Sequence, residues 1–355
     1  MVSPQQVLEE LKKVKYPGFS RDIVSFGMVK DVLVGSTAVT VVLAPTTARD
    51  GVVEEIRGAV VRIVGQMPGV PAVEVTVTAP EQPQRRMQAG PAGIPGVSQI
   101  IAVASGKGGV GKSTVAVNLA LALAQLGQRV GLLDADVYGP SVPIMLGLSE
   151  RPQSTEDKRM LPLERFGLKI ISLGLFIADG APVIWRGPMI NKLLTQFFRD
   201  VVWGELDYLV LDLPPGTGDA QLTITQQLPL SGGVIVTTPQ DVALEDVRRG
   251  VKMFQQVNAP VLGVVENMSY YVCSGCGDRA ELFGHGGGQA VASQFDIPFL
   301  GEIPLEPEIG EAGDNGKPIV AAQPEHPQSR AFRDIAQRIM TELSARPAAH
   351  LPTIH

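Results

Sequence analysis

From Ser98 onward, short and uniformly apolar runs alternate with helical stretches. The runs span residues 100–104, 130–133, 168–173, 208–211, 234–238, 261–265 and 299–300. Apolar runs of this length, separated by helices, predict an α/β fold with a mainly parallel sheet covered by helices on both faces. Ligands of such sheets bind at the carboxyl ends of the strands. The polar residues that follow the runs are therefore the first candidates for a functional site.

A different pattern precedes this region. Ser3 and Pro4 form a helix start, with a capping hydroxyl followed by proline at the first helical position, and Val7 and Leu11 continue one apolar face. Strand-like runs at 23–34 and 38–43, a helix-like run at 52–64 and an alternating strand at 72–77 follow. The pattern predicts a small α+β domain over residues 1–80.

The two regions are joined by residues 81–97, which are rich in Pro, Gln and Gly and lack apolar periodicity. This composition is typical of a linker. We therefore expect the second domain to span residues 98–345 and to be followed by a short tail over residues 346–355.

Composition narrows the functional classes. The formal net charge of −6 and the absence of a basic stripe argue against a nucleic-acid partner. No apolar segment reaches the roughly 20 residues needed to span a bilayer, and the charged N-terminus does not resemble a signal peptide. The last helical run has Phe332 and Ile335 at helical spacing but also Asp334 and Glu342, so we expect it to pack on the sheet and not on a membrane. With only two cysteines, the chain is expected to be cytoplasmic.

Residues 105–114 carry the clearest motif. Gly106, Gly111, Lys112 and Ser113 fit the G-x-x-x-x-G-K-[ST] pattern between a strand and a helix. In such a loop, backbone N–H groups surround phosphate oxygens at the positive end of the helix. Lys112 is expected to contact the β- and γ-phosphates of ATP, and Ser113 to hold Mg²⁺; the alternative is a glycine-rich turn without a ligand. The predicted nucleotide-binding residues in this loop are Gly106, Lys107, Gly108, Gly109, Val110, Gly111, Lys112, Ser113 and Thr114.

Lys107 adds a second lysine to the loop. The form Gly-Lys-Gly-Gly-Val-Gly-Lys-Ser-Thr resembles that of the MinD, ParA, nitrogenase iron-protein and Mrp-type ATPases. The resemblance implies that Lys107 crosses a dimer interface to the partner's phosphates, as an arginine finger does. It therefore predicts a homodimer with Lys107 and Lys112 as catalytic residues; the alternative is a solvated lysine in a flexible loop.

Acidic residues follow two of the apolar runs. Asp134 and Asp136 come after one strand and Asp212 after another. We predict that Asp136 orients the attacking water and that Asp212 contacts Mg²⁺, often through water. Asp134 has a second interpretation, in which it only caps the turn. Gly216 follows Asp212 closely and is predicted to bring its N–H to the γ-phosphate, which would make this loop a switch.

Cys273 and Cys276 form a C-x-x-C turn, which can present two thiolates to one metal. Since a four-thiolate site needs two more cysteines, two facing subunits could share one [4Fe–4S] cluster. A redox dithiol, a zinc ion shared between subunits and a structural pair remain alternatives. His285 either lies near this metal or is a loop histidine without a fixed role.

The chain from about Ile100 to Ala336 resembles the Mrp/ApbC iron–sulfur cluster carrier ATPases. Beyond the phosphate loop, the matching stretches are 133–141, 185–189, 212–219, 237–241, 266–269, 273–276 and 283–287. The resemblance implies a homodimeric ATPase that receives a [4Fe–4S] cluster from scaffold proteins and passes it to apoproteins, without nucleic-acid or membrane partners. It also implies that Asn267 recognises adenine, while a turn cap is the alternative role for this amide.

Two other functions share some of these motifs. A positioning ATPase would use the same loop but has no use for the C-x-x-C turn, and an ATP-gated reductase would use the cluster for electron transfer. The first 80 residues are similar to the small domain found in cluster-assembly proteins. That domain often carries a cysteine in the loop that here spans residues 45–50, which contains none. For Trp185 and Arg186 the sequence gives no chemical role, while Gly187 and Pro188 are predicted to start a helix.

Overall fold

Residues 2–17, 22–25, 27–35, 37–44, 50–77, 93–136, 139–176, 187–216, 218–273 and 275–345 are described by the computed structural model of the protein. The chain divides into two compact units, Met1–Ala89 and Gly90–His355.

The first unit packs two helices against a three-stranded sheet. Its elements are α1 (Pro4–Leu11), β1 (Val29–Val34), β2 (Val39–Leu43), α2 (Asp50–Gly65) and β3 (Val73–Val77). β2 lies in the centre, antiparallel to β1 and parallel to β3. Ser3 and Gln6 form a capping box at the start of α1, as the Ser-Pro pair predicted.

One strand of this unit is shorter than predicted. The run at 23–34 was expected to be extended throughout, but β1 begins only at Val29. The Asp22 carboxylate accepts hydrogen bonds of 2.7 Å from both the backbone N–H and the hydroxyl of Ser25, and Gly27 has a φ of 69°. These local bonds hold residues 22–25 in a turn, which could not be predicted from the apolar character of Ile23.

The second unit contains a larger α/β arrangement. Its elements are β4 (Val97–Ala104), α3 (Lys112–Gln125), β5 (Val130–Asp134), α4 (Val142–Met145), β6 (Leu163–Arg165), β7 (Leu168–Ser172), α5 (Gly187–Arg199), β8 (Leu206–Asp212), α6 (Asp219–Gln226), β9 (Gly232–Thr237), α7 (Asp241–Gln256), β10 (Val261–Asn267), β11 (Tyr271–Val272), β12 (Arg279–Ala280), α8 (Gly287–Gln294), β13 (Phe299–Ile303), α9 (Pro307–Asp314), α10 (Ile319–Ala322) and α11 (Pro327–Ser344).

Eight of these strands form one sheet in the order β13-β10-β9-β4-β8-β5-β7-β6. Every neighbouring pair is parallel except β6 with β7. The apolar side chains form two separate core clusters in this unit. The predicted α/β class is confirmed; the three-residue edge strand β6 was too short to recognise in the sequence.

The last helix contributes to the core. Phe332, Ile335, Ala336 and Ile339 on α11 are fully buried or nearly so, and the helix packs on α3 and β13. The expectation that this segment packs on the sheet is therefore confirmed. Among the described residues, no helix combines the length and apolar character needed to cross a membrane.

Candidate nucleotide and cysteine sites

The predicted phosphate loop lies between β4 and α3. Gly111 is the residue before the helix and has a left-handed φ of 80°. A Cβ at Gly111 would collide with the Asn267 amide, and a Cβ at Gly106 would overlap the Asp246 side chain on α7. The Gly216 N–H donates to the Ser105 carbonyl at 3.0 Å. The glycines therefore allow three separate chain segments to pack directly on the loop.

Lys112 is the first residue of α3 and is only 6% exposed. Its Nζ lies 2.6 Å from Asp212 Oδ1 and 3.7 Å from Asp136 Oδ2, and it donates to Ser113 Oγ at 3.1 Å. The structure thus brings together the four predicted residues Lys112, Ser113, Asp136 and Asp212, which come from three strand ends.

The parallel register of β5 and β8 explains this convergence. Asp134 pairs with Asp212 across the two strands, and the Ala135 N–H donates to the Asp212 carbonyl at 2.9 Å. Since both strands end at this point, the carboxylates that terminate them share one edge of the sheet.

Asp134 is completely buried and anchors the loop that follows β5. Its Oδ1 accepts from the Asp136 N–H at 3.0 Å, and its Oδ2 accepts from the Ser172 hydroxyl at 2.8 Å. Burial, and then the nearby charge of Asp212, raise the pKa of Asp134 to about 8. These contacts match the turn-capping role that the sequence left open for Asp134, and they position Asp136.

Asp212 offers a site for a hard cation. Burial raises the pKa of Asp212, while Lys112 and then the Ser113 hydroxyl favour its charged form. Among the described residues, its Oδ2 has no hydrogen-bond partner although it is buried. An unpartnered carboxylate oxygen beside a hydroxyl is a fitting ligand set for Mg²⁺, which prefers oxygen donors.

Lys107 is half-buried and makes a contact that the sequence did not predict. Its Nζ donates to Gln240 Oε1 at 3.4 Å, and the Thr238 hydroxyl donates to the same oxygen at 3.1 Å. Thr238 and Gln240 belong to the 237–241 stretch, which resembles the carrier family but had no assigned chemistry. Among the residues that the structure describes, the Lys107 ammonium group has one hydrogen bond, a long one to the neutral Gln240 amide.

Asn267 lies at the end of β10, against the phosphate loop. Its Nδ2 donates to the Val110 carbonyl in the phosphate loop at 2.8 Å, so the amide joins two segments that are far apart in the sequence. Beside it opens a cavity of about 500 Å³. The cavity is lined by Gly111, Thr114, Asn267, Met268, Tyr271, Leu282, Pro304, Leu305, Glu306, Pro307, Ile309 and Gly310. A mainly apolar wall with a few polar groups, next to a phosphate loop, suits the heterocycle of a nucleoside.

The two cysteines lie at the tip of a hairpin formed by β11 and β12. The Cys273 N–H donates to the Asp278 carbonyl at 2.9 Å, and the Gly277 N–H donates back to the Cys273 carbonyl at 2.8 Å. Cys276 is exposed and Cys273 is partly exposed. The backbone N–H groups of Cys276 and then Gly275 lower the pKa of the Cys273 thiol. A thiolate favoured by backbone amides on an exposed turn is a competent metal ligand.

A network of charged groups surrounds the base of this hairpin. Arg279 lies over the Tyr270 ring at 3.8 Å, and its Nη2 is 3.7 Å from Glu302 and 3.2 Å from His285 Nδ1. His285 Nε2 is 3.6 Å from Glu302. His285 therefore has defined neighbours, and it packs against a cation at the hairpin base. Sequence reasoning missed Arg279 and Glu302, since no local pattern connects them.

Glu266 links this network to helix α8. It is fully buried and accepts from the Ser269 hydroxyl at 2.6 Å and from the N–H groups of Gly286 and Gly288 at 3.2 and 2.5 Å. Ligand atoms of Glu266, His285 and Glu302 lie within 4.8 Å of one another. Because internal donors already satisfy Glu266 and Arg279 lies beside the other two, this cluster is better described as a structural network.

Several predicted features lie outside the described residues. These are Trp185, Arg186, residues 81–92 of the predicted linker, the predicted tail over residues 346–355 and the loop at 45–49. Helix α5 does begin at Gly187, where the Gly-Pro pair predicted a helix start.

Known proteins resemble both units. A family model described as NUBPL iron-transfer P-loop NTPase, of ParA type, matches residues 96–340, and one described as an iron-sulfur cluster assembly protein matches residues 4–77. An iron-sulfur cluster carrier protein from Synechocystis is 47% identical over 353 residues, which are 97% of this chain and 99% of that protein.

Two solved structures resemble the second unit. A nucleotide-binding protein from Archaeoglobus fulgidus, in complex with ADP and with Co found in it, has 38% identity and a TM-score of 0.59 over 67% of this chain and 93% of that one. The cell-division ATPase MinD from Pyrococcus furiosus has 23% identity and a TM-score of 0.54 over 69% of this chain and 99% of that one. The MinD likeness shows the fold alone.

Proposed function

Since the chain belongs to the family of NUBPL iron-transfer P-loop NTPases, as its motifs predicted, we propose that it is an ATP-hydrolysing carrier of [4Fe–4S] clusters. One observation carries the proposal most strongly. A single segment runs from Asn267, which bonds the phosphate loop, directly into the hairpin that presents Cys273 and Cys276. Groups for phosphate chemistry and for soft-metal binding are therefore adjacent in one unit.

In the proposed ATPase site, each of the residues that meet around Lys112 has its own role. Lys112 and the loop amides bind the β- and γ-phosphates, Asp136 orients the attacking water, and the cavity beside Asn267 takes the adenosine. Ser113 and Asp212 would hold Mg²⁺, which neutralises phosphate charge when bound. The Gly216 N–H, now bonded to the Ser105 carbonyl, can exchange that partner for the γ-phosphate.

The proposed cluster site follows from the number of cysteine thiols in the chain. The chain has two cysteines, both on the hairpin, and the small first unit has none. A four-thiolate [4Fe–4S] site therefore needs two chains, and a dimer is also what the resemblance of the Lys107 loop implies. We propose that the homodimer takes the cluster from scaffold proteins and passes it to apo iron–sulfur proteins.

Anaerobic reconstitution with iron and sulfide tests this function. We expect about two iron atoms per chain, corresponding to one [4Fe–4S] cluster per dimer, with the cluster type identified by Mössbauer spectroscopy. ATP hydrolysis and transfer to an apoprotein are then measured on the same sample. Four iron atoms per chain, or a zinc ion that iron does not replace, would contradict a shared cluster.

The proposed dimer also predicts a specific defect for Lys107→Ala. Because the bond that the described part of the chain provides to Lys107 Nζ is a long one to the neutral Gln240 amide, its removal should leave ATP affinity nearly intact. Turnover should fall by about 10³-fold, the lower range for a cation supplied across an interface. ATP affinity measured by calorimetry and phosphate release measured on the same preparation separate the two effects.

Mixing variants shows which chain supplies the lysine. In a mixed dimer of Lys107→Ala with Lys112→Ala, the site with intact Lys112 still receives Lys107 from the other chain. Mixing two inactive variants should therefore restore hydrolysis. A mixture as inactive as its components would indicate that Lys107 acts on its own nucleotide.

A further inference from the structure

The nucleoside cavity and the cysteine hairpin share part of their structure. Tyr271, which opens strand β11 just before the cysteine turn, and Leu282, which follows strand β12, both line the cavity. The same cavity is also lined by Gly111 and Thr114 at the start of α3. A molecule that fills the cavity would thus contact the phosphate loop, Tyr271 and Leu282.

The base of the hairpin is fixed to the same wall. The Leu305 N–H donates to the Tyr270 carbonyl at 2.7 Å, and the Ser269 N–H donates to the Ile303 carbonyl at 3.0 Å. Leu305 also lines the cavity. Backbone bonds therefore connect the residues before Tyr271 to the cavity lining, and the pairing of Tyr271 with Ala280 and of Val272 with Arg279 continues this hydrogen-bonded frame to the cysteine turn.

Leu282 is suited to respond to an occupant. The residue is 59% exposed although it borders a mainly apolar cavity. A planar heterocycle beside it would remove apolar surface from water, which favours closure of Leu282 onto the occupant. Tyr271 is half-buried and can stack on the same ring.

We propose that Tyr271 and Leu282 are positioning residues through which bound ATP and the cysteine-bound cluster change each other's affinity. The proposal rests on the proposed function, because it takes the cavity as the adenosine site and Cys273 with Cys276 as the cluster ligands. Coupling of this kind is reciprocal: a nucleotide that moves the hairpin changes cluster affinity by the factor by which the cluster changes nucleotide affinity.

The test compares ATP affinity in cluster-free and reconstituted protein, using the full chain under anaerobic conditions. In the wild type we expect the two dissociation constants to differ by roughly five-fold or more. In Leu282→Ala and in Tyr271→Ala the ratio should fall toward one, while the iron content stays at the wild-type value. Tyr271→Phe, which keeps the ring, should retain the ratio.

The ratio of the two ATP dissociation constants distinguishes coupling between the nucleotide and the cluster from simple contact with the nucleotide. A residue that only contacts the base weakens ATP binding equally in both forms and leaves the ratio unchanged, which would overturn the inference. Leu161→Ala serves as the matched control, because Leu161 is also an exposed leucine of this unit and does not line the cavity. If Tyr271→Ala does not fold, the ratio measured for Leu282→Ala tests the inference by itself.

Different results would contradict the proposed function and the proposed coupling. Wild-type protein that binds no ATP or takes up no iron contradicts the proposed function and removes the inference with it. Wild-type protein that binds both, with equal ATP affinity in the two forms, contradicts the inference alone.

Discussion

The double variant Cys273→Ala/Cys276→Ala is expected to lose stable cluster binding and all cluster transfer. Both thiols lie on the exposed hairpin tip, and the sequence contains no other cysteine that could replace them. Iron content after reconstitution should therefore fall to the level of a sample prepared without sulfide. Each single variant should behave similarly, since a dimer would keep only two of the four thiolates.

ATP binding should survive in the same variant. The cysteine side chains do not line the nucleoside cavity, and the phosphate loop packs on other segments. Asp278→Ala is a suitable control, because Asp278 is exposed and supports the hairpin through its backbone carbonyl, which the substitution keeps. A cluster retained in the double variant would contradict ligation by this hairpin and require another ligand set.

The phosphate loop and the cysteine turn could be predicted because each is a short, contiguous pattern whose chemistry follows from spacing. The meeting of Asp136 and Asp212 could also be anticipated, since parallel strands place their carboxyl ends on one edge of the sheet. The register of β5 with β8, which sets Asp134 beside Asp212, confirms that reasoning at the level of single residues.

Other contacts could not be anticipated, because they join distant segments without a local signature. Gln240 contacts Lys107 across more than a hundred residues, and Glu266 caps the turn at Gly286. Nothing in the sequence singled out Tyr271 and Leu282, although both line the cavity beside Asn267 and flank the cysteine turn. Which side chains meet when they are this far apart in the sequence depends on the complete fold.

Lys112 is the proposed phosphate-binding cation and also forms a buried ion pair with Asp212, so its substitution has two expected effects. Lys112→Ala should reduce ATP hydrolysis by at least about 100-fold, the loss typical when one preorganised group opposite developing charge is removed. It should also destabilise the protein, because Asp212 would remain buried without the cation that lies 2.6 Å away. Removing one partner of a buried ion pair costs about 3–5 kcal/mol, although protonation of Asp212, whose pKa burial already raises, offsets part of this cost.

A second substitution separates these effects. In Lys112→Met/Asp212→Asn the two closest charges are removed together, so Asp212 is no longer a buried carboxylate without its cation, and the melting temperature should recover part of the loss; Asp136, 3.7 Å from Lys112 in the wild type, still loses its partner. Hydrolysis should not recover, because neither the phosphate-binding cation nor the proposed Mg²⁺ ligand is restored. Thermal unfolding and phosphate release are measured on the wild type, Lys112→Ala, the double variant and Lys107→Ala, which alters a lysine of the same loop without breaking a buried ion pair. If hydrolysis returned together with stability, the loss in Lys112→Ala would be a folding defect and Lys112 would not act on the phosphates.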